Sequence, residues 1–382
     1  MRILQIAPEI APGSGVGGVA HHLEAAFTRA GVPVDRFTLA DAGGDRLPHP
    51  GPGLRGRLAL AVRVVWFSTA GTVLARRRIR RSPGTVTICH NDVLAGDVYV
   101  NHGNLRVAMA ARGGYAWRML RNPLHLFTAA RDALRYRGRT HRVVVNLTEA
   151  ERTALARTYP RLRARSVVIG NGVDTTRYRP PTPAERDAAR TLATLPDDVT
   201  NVLFIGHEFD RKGLPLVLDA VADLPDVVVT VVGGTADMLT TLGRQIERLG
   251  LADRVHLAGQ VDDPLPWLHA ADALALPSAY EANALVVLEA LACGVPVVAT
   301  AVGYAPEAID DGVTGYLVER TVSDVQRGLR AVAEAGPAAR EAMSRAARTR
   351  AEQHDWDQVA AQYLDLARSL VRTTGRLGGG PT

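Results

Sequence analysis

The stretch that decides the fold is "TNVLFIGHEFDRKGLPLVLDAVADLPDVVVTVVGG", residues 200–234. An apolar run, "NVLFI", ends at a glycine and is followed by a polar turn. "LPLVLDAVADL" then carries apolar residues at helical spacing, and a second valine-rich run closes the unit. Strand, turn, helix and strand in that order build a parallel α/β sheet, whose ligands sit at the carboxyl ends of the strands. The turn after the first strand holds Arg211 and Lys212, and Lys212 is the only lysine among 45 basic residues. A compact ammonium on a flexible stem fits where a broad planar guanidinium does not.

The alternation continues in both directions. Downstream, helix "ADMLTTLGRQIERLG" leads to strands "VHLAG", "ADALALPS", "PVVAT" and "GYLVE". Upstream, "RILQIAP", a glycine-rich loop, helix "GVAHHLEAAFTRAG" and strand "VDRFTLA" open the chain, and "TVTICH", "DVYVNH" and "RVVVNLT" follow. Short β-branched runs alternating with helices predict two doubly wound sheets. "GNGVDTTRYRPPTPAERDAAR" is the linker between them, on its Gly, Asn and Pro content, and "DWDQVAAQYLDLARSLVRT" is a terminal helix. The expected boundaries are 1–172, 173–355, a helix over 356–373 and a flexible tail over 374–382.

At 382 residues, 47% hydrophobic and 22% charged, the composition is globular. Residues 1–180 hold 28 arginines against 11 acids, net +17, while residues 181–382 carry net −11. The first half therefore faces something anionic. "NLRVAMAARGGYAWRMLRNPLHLFTAARDALRYRGR", within 99–142, interleaves arginine with Trp117, Leu120, Leu124, Leu126 and Phe127. Such a segment rests on an anionic bilayer or forms a basic solvent face over a core helix. No motif supports nucleic acid. The longest charge-free run, Ala290–Pro306, is too short and interrupted for a membrane span. Cys89 and Cys293 read as buried free thiols of a reducing compartment, and a cytoplasmic location is expected.

Two motifs carry chemistry. "APGSGVGGVAHHLE" spells G-x-G-x-x-G at Gly13, Gly15 and Gly18, with Asp35 near the next strand's end. That pattern is shared by dinucleotide loops and by any glycine turn that lets a phosphate or sugar approach a helix N-terminus. Ligand contact is expected at Gly17 and Gly18. "SAYEANALVVLEALACGVPVVAT" places Glu281 in a strand-to-helix turn and Glu289 inside an apolar helix starting near Asn283, on what is expected to be one shared face. A carboxylate in that setting needs partners such as ribose hydroxyls. The N–H groups of Asn283, Ala284 and Leu285 would face an anion.

These residues together resemble the retaining glycosyltransferases of family 4. "GNGVDTTRYRP", "RKGLPLVLDAVADLP", "E-x₇-E" with "ALACGVPVVATAVGYAPEAIDDGVTGYLV", and "HDWDQVAAQYLDL" carry the likeness. Within that family, "FIGHEFDRKGL", "SAYEANALVVLEAL" and "GDVYVNHGNLR" look most like the lipopolysaccharide-core heptose glucosyltransferase branch. The resemblance implies a GT-B fold: two doubly wound Rossmann-like domains facing a cleft, an acceptor domain over 1–172, a donor domain over 173–355, and a terminal helix crossing back to the first.

It also implies roles. Lys212 and Arg211 would neutralise the diphosphate of a nucleotide-sugar donor, UDP-glucose being favoured, with Gly206 and His207 beside them. Glu289 would hold the ribose and Glu281 the donor sugar, with Ala284 and Leu285 at the phosphate. Val261, in "AGQVDDPLPW", would lie near the base. Gly17 and Gly18 would complete the site, and His102 would stand near the anomeric carbon. His207 follows Gly206 where many members have arginine, so His207 and Arg211 compete for the second phosphate contact. No metal or other cofactor is implied, although Asp355-x-Asp357 formally spells a metal pair. The acceptor would be a hydroxyl of a glycan, glycolipid or natural product, and the protein would sit on the inner face of the plasma membrane through 99–142. A nicotinamide enzyme built on Gly13, Gly15, Gly18 and Asp35, and a non-catalytic sugar-nucleotide or membrane-surface module, are the competing readings.

Overall fold

The computed structural model describes residues 1–13, 15–51, 53–111, 114–196, 198–281 and 284–377. The chain divides into two compact units, 1–171 with 356–382, and 172–355.

The first unit is a six-stranded parallel sheet. Its strands are β1 (Arg2–Ile6), β2 (Val34–Phe37), β3 (Thr85–Cys89), β4 (Val98–Asn101), β5 (Val143–Asn146) and β6 (Arg165–Val168), in the order β2-β1-β3-β4-β5-β6. Ile3, Val86, Val98, Val143 and Val145 fill one layer with Leu23 and Phe27 of the helix Val16–Arg29 and Trp356, Tyr363 and Leu364 of the helix Trp356–Leu377. The terminal helix thus completes this unit's core, fixed by the Arg29–Asp357 ion pair (2.6 Å) and the stacked rings of His22 and Trp356.

The second unit holds β7 (Thr200–Ile205), β8 (Val227–Val232), β9 (Val255–Gly259), β10 (Ala273–Leu276), β11 (Val297–Thr300) and β12 (Gly315–Val318). Their order is β12-β11-β10-β7-β8-β9, all pairings parallel. Helices cover both faces, so β8, "VVVTVV", is buried at every residue, as a valine run in a doubly covered sheet should be. The order reverses between β7 and β10 here, and between β1 and β3 in the first sheet. Open α/β sheets bind ligands at such points.

Three elements depart from the sequence reading: the stretch read as a linker contains most of a capped helix, Pro183–Leu192, and two others follow. β6 was not expected. The third is a helical stretch over Gly53–Arg80, with a π-helical turn at Phe67–Gly71. Its 28 residues are long and apolar enough to cross a membrane by length and composition, with 33% of the most apolar window buried. It is not a charge-free run, because Arg55, Arg57 and Arg63 interrupt it. It covers the first unit with Ala59, Phe67 and Ala75 and exposes Leu54, Leu58, Leu60 and Trp66. Both cysteines are buried and free.

Candidate functional site

Two loops meet where the second sheet's order reverses. After β7 the chain passes Gly206 and His207 into a one-turn helix, Phe209–Lys212. After β10 it runs through Pro277 to Glu281. The Ala279 N–H donates to the Arg211 carbonyl at 2.8 Å and ties the loops together. Gly213, at φ 85°, lies so close that a Cβ would meet the Pro277 carbonyl oxygen at 2.3 Å. Only glycine fits that seam.

Across it, Lys212 Nζ donates to Glu281 Oε1 at 3.0 Å and Arg211 Nη1 to the same oxygen at 3.1 Å, while Ser278 Oγ adds a third bond at 2.9 Å. Arg211 also bonds Glu208 and the Tyr280 carbonyl. Burial opposes the Arg211 charge, but Glu281 and Glu208 outweigh it and raise its pKa. The Lys212 stem lies over Gly206, where a Cβ would stand 2.2 Å from its Cδ. His207 is exposed and its Nδ1 accepts from the Gly234 N–H at 3.3 Å. Arg211, and not His207, is thus the cation grouped with Lys212.

The helix after this loop runs over Leu285–Ala292, with Ala284 at its N-cap and no side-chain oxygen bonding its first turn. Asn283 lies outside the described residues. Because the helix starts only at Leu285, Glu281 is not on it, and the expected shared helical face with Glu289 does not exist. Different elements place the two carboxylates. Glu289 is partly covered at its surface, yet burial of its carboxyl among apolar neighbours pushes its pKa up to about 7; Arg177 opposes that rise and Asp263 reinforces it. Arg177 pairs with Asp263 at 2.9 Å and lies 5.5 Å from the Tyr178 ring centroid. Val261, on the loop after β9, is half-buried against the unit's core. Arg177, Tyr178 and Asp263 were not singled out from sequence. The signal was there: "TTRYRP" and "VDDPLPW" lie inside stretches already read, "GNGVDTTRYRP" and "AGQVDDPLPW".

In the first unit the loop after β1 borders a half-open pocket of about 220 Å³ lined by Pro8, Glu9, Ala11, Pro12, Val16, Gly17 and Gly18. Gly18 is already inside the helix, and a Cβ there would lie 1.8 Å from the Gly13 carbonyl oxygen. Packing alone therefore demands that glycine. Asp35 bonds Arg2 at 3.3 Å. His102 follows β4; its Nε2 is 3.3 Å from His90 Nδ1, and His90 Nε2 is 2.7 Å from Gln5 Oε1. Burial lowers the His102 pKa to about 4. Gln5 and His90 were missed as site residues, although a glutamine inside the apolar run "ILQI" was a visible anomaly. Asp355 accepts from Thr175 while Asp357 pairs with Arg29, so the formal D-x-D residues each serve a separate structural contact.

Residues 185–350 match the family model described as "Glycosyl transferases group 1". A D-inositol 3-phosphate glycosyltransferase of Mycolicibacterium smegmatis is 39% identical over 233 residues, 58% of this chain and 52% of the relative. The chain therefore spans about half the length of the curated relatives it matches. Among solved structures, the sucrose-phosphate synthase tll1590 of Thermosynechococcus elongatus superposes with a TM-score of 0.75 at 22% identity, covering 98% of this chain and 100% of that one. Alr3699/HepE of Anabaena, in complex with UDP and glucose, gives 0.67 at 22% identity, covering 97% and 100%. Over residues 185–350 the chain is thus similar to the glycosyl transferases group 1 family, and its two sheets have the GT-B fold.

Proposed function

We propose that the protein is a glycosyltransferase that moves a hexose from a nucleoside-diphosphate sugar to a hydroxyl acceptor. The observation that carries this reading is the pairing of Arg211 and Lys212 on one Glu281 oxygen at the strand-order reversal of the second sheet. Cleaving the anomeric C–O bond builds negative charge on the β-phosphate, and fixed cations aimed there stabilise the transition state. In the free protein the Glu281 carboxylate occupies both cations. A diphosphate takes its place beside them, and Glu281 is released towards the donor sugar's hydroxyls. Ala284 and Leu285 present helix N–H groups to the phosphates, and Glu289 receives the ribose.

UDP-glucose is the donor we favour, supported by the complex of the Anabaena neighbour with UDP and glucose. Retention of configuration and independence of metal follow from the family 4 resemblance; the Arg211–Lys212 pair offers the positive charge that a bound cation supplies elsewhere. For the acceptor, the lipopolysaccharide-branch likeness points to a glycolipid and the M. smegmatis relative's name to an inositol phosphate, so both classes are to be assayed. We place the protein in the cytoplasm, against an anionic inner leaflet. Residues 46–91 contain no acid, and their nine arginines flank the exposed Leu54, Leu58 and Trp66; Trp117 and Leu120 are exposed in the second basic segment.

Calorimetry with UDP, GDP, ADP and NAD tests the donor reading. Binding of a nucleoside diphosphate is expected. Tight NAD binding without it would favour the nicotinamide enzyme instead.

A further inference from the structure

A buried hydrogen-bond chain runs from the first helix of the first unit to His102. Gln5, mid-strand in β1 and 0% exposed, donates from Nε2 to the Ala20 carbonyl at 2.9 Å. A carbonyl can only accept, so the amide nitrogen must face Ala20 and the amide oxygen must face His90. His90 Nε2, 2.7 Å from that oxygen, therefore carries the proton. The neutral ring's other nitrogen, Nδ1, is then a lone pair, and the atom 3.3 Å from it, His102 Nε2, must be the donor. One proton assignment follows from the next, and none is free to reverse without an acceptor meeting an acceptor. The rings of His90 and His102 lie 5.5 Å apart, tilted by 33°.

We infer that Gln5 and His90 are positioning residues, through which the Ala20 carbonyl fixes His102 as its Nε2–H tautomer and leaves His102 Nδ1 as an acceptor for a ligand hydroxyl. Among the described residues Nδ1 has no hydrogen-bond partner. His102 in this form takes a hydrogen bond from a sugar hydroxyl and gives no proton to a leaving group. Burial, and for His90 the neighbouring His102, keep both rings neutral near pH 7. Ala20 belongs to the same helix as Gly17 and Gly18, so the relay ties the orientation of His102 to the seating of the glycine loop. The sugar-hydroxyl role rests on the glycosyltransferase reading; the tautomer does not.

The test is the ¹⁵N spectrum of the full chain labelled at histidine, recorded at pH 7 without ligand, with His102 identified by comparison with His102→Gln. His102 is expected with Nε2 protonated and Nδ1 bare. Gln5→Met should convert it to a mixture of tautomers and lower turnover by about 10-fold or more, by analogy with the loss when the outer partner of a metal-ligating imidazole is removed, with UDP affinity unchanged. A His102 protonated on Nδ1, or doubly protonated, would overturn the inference without any variant being made. An unaltered His102 tautomer in Gln5→Met would overturn the role of Gln5. If the tautomer is as inferred but no nucleotide sugar is turned over, the relay stands and the functional reading fails.

Discussion

Lys212 Nζ and Glu281 Oε1 lie 3.0 Å apart, joined across the two loops that end β7 and β10. The ion pair explains why a lysine occupies this position. Its stem crosses Gly206 with no room for a Cβ, and its head shares one carboxylate oxygen with Arg211. A second guanidinium there would have to lie over the same glycine and compete with Arg211 for the same oxygen.

Lys212→Arg should therefore lower turnover by about 100-fold, although it conserves charge. Gly206→Ala should act in the same direction by displacing the lysine stem. Steady-state release of nucleoside diphosphate measures both; near wild-type rates in Lys212→Arg would show that the shape of the cation is immaterial.

Glu281→Gln removes the carboxylate that competes with a diphosphate for both cations. UDP alone should bind more tightly to this variant, while turnover of a UDP-sugar falls because the sugar's partner is lost. The unliganded fold should lose stability, since Arg211 and Lys212 are left without their shared anion at side-chain exposures of 17% and 15%. Calorimetry and thermal melting would separate these effects, and weaker UDP binding would contradict the competition.

With the ribose on Glu289 as proposed, donor binding should be pH-dependent. Its carboxyl is raised to about 7 in the free protein, and ribose hydroxyls favour the carboxylate, so binding expels a proton. UDP affinity should rise from about pH 5 to about pH 7 and then level off, and titrations in buffers of different ionisation enthalpy should report proton release. Glu289→Gln should abolish both. The raised pKa also means that the free fold loses some stability as pH climbs through that window. Affinity falling with pH would put the wrong group at the ribose.

The first unit has its own buried charges. Arg131 bonds Asp92 at 2.5 Å and Ser68 at 3.2 Å, and Arg135 bonds Asp132 at 3.0 Å and the carbonyls of residues 91–93. Arg131→Ala leaves the buried Asp92 without this cation and should cost about 3–5 kcal/mol. Chemical denaturation reads it out; a loss below about 1 kcal/mol would mean that water reaches the cluster.

Much of the parallel-sheet architecture was legible because both sheets are covered on two faces, which writes each inner strand as an uninterrupted valine-rich run. β6, "RSVV", is a partly exposed edge strand behind an arginine-rich turn, and so carried no such signature. Over Gly53–Arg80 the periodicity is broken by arginines and by the π turn, which inserts a residue and rotates the apolar face. Arg211, Lys212 and Glu281 were legible as types at a strand end. Their sharing of one oxygen was not, because it depends on which two strands become neighbours at the order reversal. Gln5 and His90 sit far apart in sequence and meet only because β1 pairs with β3.

The most direct measurement is release of nucleoside diphosphate from UDP-, GDP- and ADP-sugars by the wild-type protein and by Lys212→Ala, with NAD binding measured alongside. Slow hydrolysis of one sugar nucleotide is predicted, reduced at least about 100-fold in the variant. Failure to bind or hydrolyse any of them, with tight binding of NAD, would contradict the assignment.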